Sequence, residues 1–224
     1  NASTAEDVAI AFFKTGDTNP DFDLWAKSSR DYKVAPPVRA DEVLFNEKQR
    51  LMKKWQDYDT REGVLNVESM VSVELKTVQR KDGSEEYWMY ILLPQKDAVY
   101  FPFKFYKYDF AVIPQQIESL MIQPLQRDQY MMIRNSLPDT RGASAYISLQ
   151  LKPEKAYIQQ PYVIDNREQW ALMCEVATMS LQSMKSRQAM WNYSADWYVS
   201  PVTEELRDLY AQPDERAPAA PDNR

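Results

Sequence analysis

The stretch VESMVSVELKTVQRKDGSEEYWMYILLP, residues 67–94, decides the fold. Apolar residues recur at every second position in its first half, an alternation that predicts a strand with one buried face. Lys81, Asp82, Gly83 and Ser84 then interrupt the pattern with turn-forming residues, and a second apolar run follows. Two alternating runs around a glycine-containing turn predict a β-hairpin.

More strands follow this hairpin along the chain. Residues 98–113 continue the alternation, with Phe101, Phe103 and Phe105 on one side. Residues 143–164 predict two strands joined near Pro153 and Glu154. Residues 169–183 fit two patterns: Trp170, Leu172, Cys174 and Val176 alternate as in a strand, whereas Trp170, Met173, Ala177, Leu181 and Met184 have helical spacing. We favour a strand that turns at residues 184–187 into another aromatic strand.

Helical patterns surround these strands. Residues 3–16 predict a helix with a capping box of Ser3 and Glu6 and a stop at Gly16. Asn19 and Pro20 predict the start of a second helix, and Asp41 the start of a third over residues 41–59. Short helices are expected in residues 114–122 and 127–135. A last helix is expected over residues 202–211, before a polar, proline-rich tail.

The order of these elements favours an α+β fold. We expect an antiparallel sheet built from hairpins, with N-terminal helices and a short C-terminal helix. The domain prediction is an N-terminal helical segment and connector over 1–40, a single α+β domain over 41–211 and a tail over 212–224. Four glycines in the whole chain disfavour phosphate-cradling loops and a doubly wound α/β fold.

Composition excludes several kinds of chemistry. The chain has no histidine and one cysteine, Cys174, so neither a histidine-based nucleophile nor a disulfide within the chain can form. Asp17, Asn19, Asp21 and Asp23 alternate like calcium ligands, but Phe22 and Ser28 occupy the places where an EF-hand loop needs glycine and glutamate. We therefore predict no metal site and no cofactor. The net charge of −6 disfavours nucleic-acid binding, and no apolar run is long enough to be an integral membrane segment.

Three segments carry a family resemblance: DLWAKSSRDYKVAPPVRADEVLFNEKQRL (23–51), YFPFKFYKYDFAVIP (100–114) and WALMCEVATMSL (170–181). Over about residues 22–199, this patterning resembles a family of exported bacterial proteins of unknown function. The resemblance implies a periplasmic or otherwise exported protein. The chain opens with Asn1 instead of Met, and we expect that a signal peptide has been removed upstream of about Ser3.

The aromatic density of residues 86–110 supplies the candidate site. One alternate set of rings is expected in the core, while Tyr100, Tyr106 and Tyr108 share parity with Lys104 and predict a common binding face. Trp191 and Tyr193 would extend this face if their strand is adjacent. The leading hypothesis is a noncatalytic adaptor domain of the cell envelope that holds a protein partner on an aromatic sheet face. The alternatives are a carboxylate-dependent hydrolase of an envelope polymer and a small-ligand binder; whether the chain is an enzyme stays open, with a preference for no.

Overall fold

The structure, a computed structural model, describes residues 1–94, 98–139 and 141–199. Its helices are α1 (Ala5–Thr15), α2 (Phe22–Ser28), α3 (Arg30–Val34), α4 (Ala40–Asp57), α5 (Glu118–Met121) and α6 (Arg127–Ser136), with a 3₁₀ turn at Pro37–Arg39. Its strands are β1 (Leu65–Gln79), β2 (Glu85–Leu92), β3 (Phe101–Phe105), β4 (Tyr108–Gln115), β5 (Ile122–Leu125), β6 (Arg141–Ala156), β7 (Tyr162–Ile164), β8 (Arg167–Ser183) and β9 (Ala189–Ser194).

The hairpin predicted from residues 67–94 is confirmed. Strands β1 and β2 pair antiparallel from Ser72–Leu92 to Gln79–Glu85. Gly83 has a φ of +82°, a backbone conformation that glycine adopts without a steric penalty. The Asp82 carboxylate accepts hydrogen bonds from the backbone N–H and the hydroxyl of Ser84. Local sequence therefore determines the turn and, through it, the strand register.

The sheet is mixed, so the expectation of a purely antiparallel sheet is only partly right. Its strand order is β3-β4-β8-β6-β1-β2-β5, and β7 and β9 also pair with β8. Strands β4 and β8 run parallel, from Phe110–Trp170 to Gln115–Glu175. They are far apart in the chain, with α5, β5, α6, β6 and β7 between them, and a connection of that length can return the chain in either direction. Hairpin patterns cannot reveal such a pairing.

Strand β8 explains why residues 169–183 fit two patterns. Leu172, Cys174 and Val176 are buried at even positions, whereas Ala177, Met179 and Leu181 are buried at odd positions. The phase changes where the pairing with β6 shifts between Gln150 and Leu151, so that Val176 and Ala177 both lie opposite Leu151. A β-bulge of this kind keeps both halves of the strand buried on the same side of the sheet. The favoured strand is correct, and the bulge brings Trp170, Ala177 and Leu181 to one side of it although their spacing is helical.

Two helices cover one side of the sheet, which we call the covered face. Helix α1 contacts β3, β4 and β6, and six consecutive residues of it, Val8 to Phe13, are buried. Helix α6 contacts β2 and β9, where Tyr130 lies beside Tyr87, with 4.7 Å between ring centroids. Registers place Val73, Met89, Leu149 and Met179 on this face, and all four are buried. The main hydrophobic core lies here.

The opposite side of the same strands, which we call the open face, carries large side chains in contact with solvent. Met70, Val78, Leu92 and Ile122 are 45 to 52% exposed. Trp88, Tyr90 and Tyr146 are half-buried beside them. Lys76 lies over the Tyr90 ring at 4.6 Å and Arg187 over the Tyr146 ring at 3.7 Å. The open face is therefore an aromatic and apolar surface interleaved with cations.

The predicted helices of the described ranges are present, but three begin later than expected. Helix α5 begins at Glu118 instead of residue 114, because β4 continues to Gln115. The capping box of α1 is formed by Thr4 and Asp7 instead of Ser3 and Glu6. Helix α2 is capped by Asp21 and not by Asn19. In α1 and α2 the N-cap is a side-chain hydrogen bond of the predicted kind. The predicted cap residues are wrong by one or two positions, because several neighbouring side chains are equally good caps.

One predicted break is absent, and other predictions stay untested. Strand β6 runs through Pro153 with a register shift there, so the expected joint near Pro153 and Glu154 is wrong. The expected last helix and tail lie outside the described residues. The domain boundaries stay a prediction. Within the described ranges, no helix is long and apolar enough to cross a membrane.

Candidate binding cleft

The structure separates the six candidate residues instead of bringing them together. Tyr106 and Lys107 form the turn between β3 and β4, where Phe105 pairs with Tyr108 and Lys104 with Asp109. Tyr108 therefore lies on the same side as Phe105, and Lys104 points to the other side. The shared parity that placed Tyr108 with Lys104 does not hold, because a two-residue turn reverses the chain between them.

Tyr100 and Tyr108 belong to the interior. Tyr100 is only 5% exposed and donates a hydrogen bond of 2.6 Å from its hydroxyl to the Asp165 carboxylate. Tyr108 is half-buried, and its ring lies 5.3 Å from Phe13 and 5.8 Å from Trp170 between centroids. Both tyrosines attach strands to their neighbours, which is the packing role expected for one alternate set of rings.

Trp191 and Tyr193 lie in another part of the sheet. Tyr193 of β9 pairs with Met179, whereas the β3–β4 hairpin reaches β8 at Trp170. These two positions on β8 are separated by about 30 Å, given the rise of a strand. Trp191 and Tyr193 are half-buried against the core and do not extend the surface around Tyr106.

Lys104 and Tyr106 do meet, at an open cleft of about 830 Å³. The first wall is the α2–α3 bend, and the second is α4 through Glu47 and Arg50. The tip of the β3–β4 hairpin closes the third side. Trp25 and Leu51, 2% and 1% exposed, form an apolar floor. The ring of Trp25 lies 4.9 Å from that of Phe105, which joins the floor to the hairpin.

Tyr106 has an unusual backbone for its size. Its φ is +54°, in the left-handed region that bulky residues rarely adopt. The side chain is nevertheless 39% exposed at the rim of the cleft, so the ring gains little burial in return. Backbone strain of this kind is concentrated at functional sites.

The positive charges of the cleft are unevenly compensated. Arg50 donates two hydrogen bonds to Glu6, at 2.7 and 3.0 Å, and others to Glu47. Lys27 forms a salt bridge with Asp23 at 2.8 Å. Within the described ranges, Arg30, Lys33 and Lys104 have no salt-bridge partner, although all three line the cleft and are exposed. Asp31 is the only acid at the cleft without an ion pair among the described residues, so positive charge is in excess.

The ion pairs at the back of the cleft are structural. Burial opposes ionisation of Glu6, but hydrogen bonds from Arg50 and Lys54 outweigh it and hold the pKa of Glu6 below its usual value. The hydrogen bonds that Arg50 donates to Glu6 and Glu47 raise the pKa of Arg50. Lys54 also bonds Asp7 at 2.6 Å, so this network ties α1 to α4. These charges neutralise one another, whereas Arg30, Lys33 and Lys104 are exposed and without a salt-bridge partner among the described residues.

Carboxylates give the hydrolase alternative little support. The carboxyl groups of the described residues whose pKa departs from its ordinary value, Glu6, Asp7, Asp23 and Asp82, all have it lowered. A general acid for glycoside hydrolysis requires the opposite, a raised pKa. In the described part of the chain, no three acidic or cysteine side chains are grouped closely enough to hold a metal ion.

Sequence reasoning missed Arg30 and Lys33. They lie in KSSRDYK, residues 27–33, where positive charge is mixed with an acid and two serines and looks like an ordinary solvated helix face. The available signal was Ser29, which caps α3 through its hydroxyl and bends the chain so that the basic residues turn toward the hairpin. That bend becomes meaningful only when the hairpin is known to lie opposite.

Comparison with known proteins adds no assignment. No family model, no curated protein and no solved structure matches this chain. The resemblance to exported bacterial proteins therefore stays a prediction.

Proposed function

We propose that this protein is a noncatalytic binding domain that holds an acidic segment of a protein partner in the cleft. The observation that carries the proposal is the convergence of Arg30, Lys33 and Lys104, three cations without salt-bridge partners in the described chain, beside the exposed Tyr106 ring. Such a surface attracts carboxylates over several ångströms, and tyrosine adds contact area at a low entropic cost.

The shape and charge of the cleft favour an extended acidic peptide over other ligands. A small-ligand site is usually enclosed and mostly apolar, whereas this cleft is open and bordered by charged side chains. A nucleic acid is disfavoured because the chain as a whole carries a net charge of −6. A peptide needs only the local positive field and the apolar floor of Trp25 and Leu51.

The test is a titration with a fluorescently labelled decaglutamate peptide, followed by fluorescence anisotropy at low ionic strength. Lys104→Glu and Arg30→Glu should each weaken binding by about tenfold or more, because each replaces an attraction with a repulsion. Tyr106→Ala should weaken it less. Added salt should weaken binding of the unmodified protein, since the charges are exposed.

The matched control is Lys81→Glu, the same charge reversal at an exposed site in the β1–β2 turn. It should leave the affinity for the peptide within about a factor of two, apart from the general effect of net charge. Equal weakening by Lys81→Glu and Lys104→Glu would mean that the peptide senses only overall charge, and the cleft would lose its role. Competition by inorganic phosphate alone would indicate a small-anion site instead.

The open face is a second candidate contact surface for the same partner. Half-buried aromatic rings, Trp88 and Tyr90, lie there beside the exposed side chains of Met70 and Leu92, and we propose this face in place of the one expected around Tyr108. Replacing Met70 and Leu92 by Glu should lower affinity for a partner first identified through the cleft, while the decaglutamate titration stays unchanged.

We also propose that the protein works in the bacterial cell envelope. The support is the sequence resemblance alone. Fractionation of cells that produce the native precursor, with mass spectrometry of the mature N-terminus, tests it: a processed protein in the periplasmic fraction is expected, and an unprocessed cytoplasmic protein contradicts the proposal.

A further inference from the structure

A separate crevice of about 340 Å³ lies at the edge of β8, between two strands that pair with successive parts of that edge. Strand β4 pairs with β8 only as far as Glu175, and β9 pairs with it only from Thr178. Between them, Val176 and Ala177 form the bulge described above. The backbone of Ala195 satisfies the carbonyl of Ala177 at 2.8 Å. The crevice lies beyond the carboxyl ends of both β4 and β9, in the gap between the parts of β8 that they pair with.

The chain turns sharply at the end of β4, beside the crevice. Gln116 has a φ of +60°, the left-handed conformation that a non-glycine residue rarely adopts. Its carbonyl accepts hydrogen bonds from the backbone and the hydroxyl of Ser119, which starts α5. The turn directs α5 away from β8 and places Gln115, Gln116 and Ser119 along one wall.

An exposed aromatic ring forms the other wall. Trp197 is 46% exposed, and a turn closed by the hydrogen bond from Tyr198 N–H to the Ala195 carbonyl holds it in place. The ring of Tyr198 lies edge-on, 5.9 Å away. Lys152 lies 5.5 Å from the centre of the Trp197 ring. A large apolar ring kept partly in water by a short turn is available to a ligand.

The polar groups of the crevice suit hydroxyls. Gln115, Glu175 and Lys152 are neighbours across three strands. Among the described residues, the side-chain amides of Gln115 and Gln116 and the carboxylate of Glu175 form no hydrogen bond. Amides both donate and accept hydrogen bonds, and a carboxylate accepts them, which matches the dual character of a hydroxyl group.

The charged side chains at the crevice favour an uncharged ligand. The Glu175 carboxylate repels an anion, and the Lys152 ammonium, 5.5 Å from the centre of the Trp197 ring, repels a second cation. An uncharged, hydroxyl-rich ring with an apolar C–H face meets both the polar wall and the tryptophan. We infer that this crevice binds a pyranose unit of a neutral saccharide, stacked on Trp197 and hydrogen-bonded to Gln115, Gln116 and Glu175. The site is distinct from the cleft and takes a different class of ligand.

The test uses the full chain labelled with ¹⁵N and two neutral probes, cellotetraose and chitotetraose. Nuclear magnetic resonance follows the indole N–H of Trp197, assigned by its loss in Trp197→Phe. With at least one probe, this signal should move and saturate in the millimolar range. For the variants that lack this indole, binding is followed through the backbone amide signals of Gln115, Gln116 and Glu175 in the same spectra. Trp197→Ala should weaken binding by about tenfold or more, since the stacking surface is removed, whereas Trp197→Phe should retain most of it.

Two further variants keep the result decisive. Glu175→Ala, measured by the same Trp197 signal, should also weaken binding, and it tests the polar wall even if Trp197→Ala fails to fold. Tyr106→Ala changes another exposed aromatic residue, at the other site, and should bind the saccharide normally. A Trp197 signal that does not move with either probe, or an unchanged affinity in Glu175→Ala, would overturn the inference. Neither outcome bears on the decaglutamate titration, so the two proposals fail separately.

Discussion

The covered and open faces of the sheet use the same strands for opposite purposes. On neighbouring strands, Met89 of β2 is completely buried on the covered face, while Met70 of β1 is 52% exposed on the open face. The difference arises from what lies above each face: α1 and α6 pack on the covered face, whereas on the open face large apolar side chains remain in contact with solvent. Residue type alone does not decide burial here; position relative to the helices does.

This contrast locates stability and recognition in different parts of the molecule. Burial of apolar area contributes about 25 cal/mol for each Å² removed from water, so the covered face supplies most of the folding free energy. The open face and the exposed rims of the cleft and of the crevice beside β8 contribute little to it. Surface residues there can change with small effects on stability and large effects on binding.

The largest expected effect compares the two methionines directly. Met89→Ala should lower the free energy of unfolding by about 2 to 5 kcal/mol, because it removes a buried side chain and leaves a cavity. Met70→Ala, the same chemical change on the open face, should lower it by less than about 0.5 kcal/mol. Urea denaturation followed by circular dichroism measures both. Similar losses in the two variants would mean that the open face is covered in solution.

A smaller effect is expected at Gly142, which keeps β6 in phase with β1. The pairing shifts between Val73 and Glu74 so that Gly142 is the extra residue, and its φ is +91°. Gly142→Ala should destabilise the protein by about 1 to 2 kcal/mol because an L-residue is strained in that conformation. A Cβ at this position would meet no atom within 4 Å, so the loss would report backbone strain and not a clash.

The control for Gly142 is Ser144→Ala, two residues further along the same strand and exposed. It should change the free energy of unfolding by less than about 0.5 kcal/mol in the same urea titration. A neutral Gly142→Ala would show that β6 can adjust its register, and the separation of the two faces would be less strictly determined than the pairing suggests.

The smallest expected effect concerns the attachment of α1, the helix that covers the sheet. The pKa values of Glu6 and Asp7 are lowered in the folded protein: burial opposes ionisation, but hydrogen bonds from Arg50 and Lys54 to Glu6, and from Lys54 and Thr4 to Asp7, outweigh it. The stability they provide is therefore present above their ordinary pKa values of 4.5 and 3.8 and is lost as the pH falls through the lower folded values. Glu6→Gln should cost less than about 1 kcal/mol at neutral pH, since these groups are partly exposed.

Urea midpoints measured at neutral pH and again well below pH 3.8 test whether this contribution to stability is lost in acid. The difference between the unmodified protein and Glu6→Gln should shrink as the acid is protonated. Glu62→Gln, which removes an exposed carboxylate in the loop before β1, should show a smaller difference at neutral pH. A Glu6 difference that grows in acid would contradict the assignment of the ion pairs.

Local patterns predicted the elements well and their assembly poorly. The β1–β2 hairpin, helix α4 and the strand assignment of residues 169–183 followed from alternation, turn residues and helical spacing. The candidate site was not predicted correctly. Alternation along one continuous strand would put Lys104 and Tyr108 on the same face, but the turn at residues 106 and 107 reverses the chain between them. A turn at Tyr106 and Lys107 contains neither glycine, asparagine nor proline, so no local signal marked it.

By itself, the amino-acid sequence determined the α+β class, the β1–β2 hairpin with Gly83 in its turn, and the absence of histidine chemistry, because each depends on neighbouring residues or on composition. Only the tertiary structure decided the parallel pairing of β4 with β8, the face that α1 and α6 cover, and the meeting of Arg30, Lys33 and Lys104 at one cleft. These outcomes depend on contacts between residues far apart in the chain. Such contacts depend on the entropy of closing long loops and on which face of the sheet the helices pack against. Neither produces a periodic pattern in the sequence.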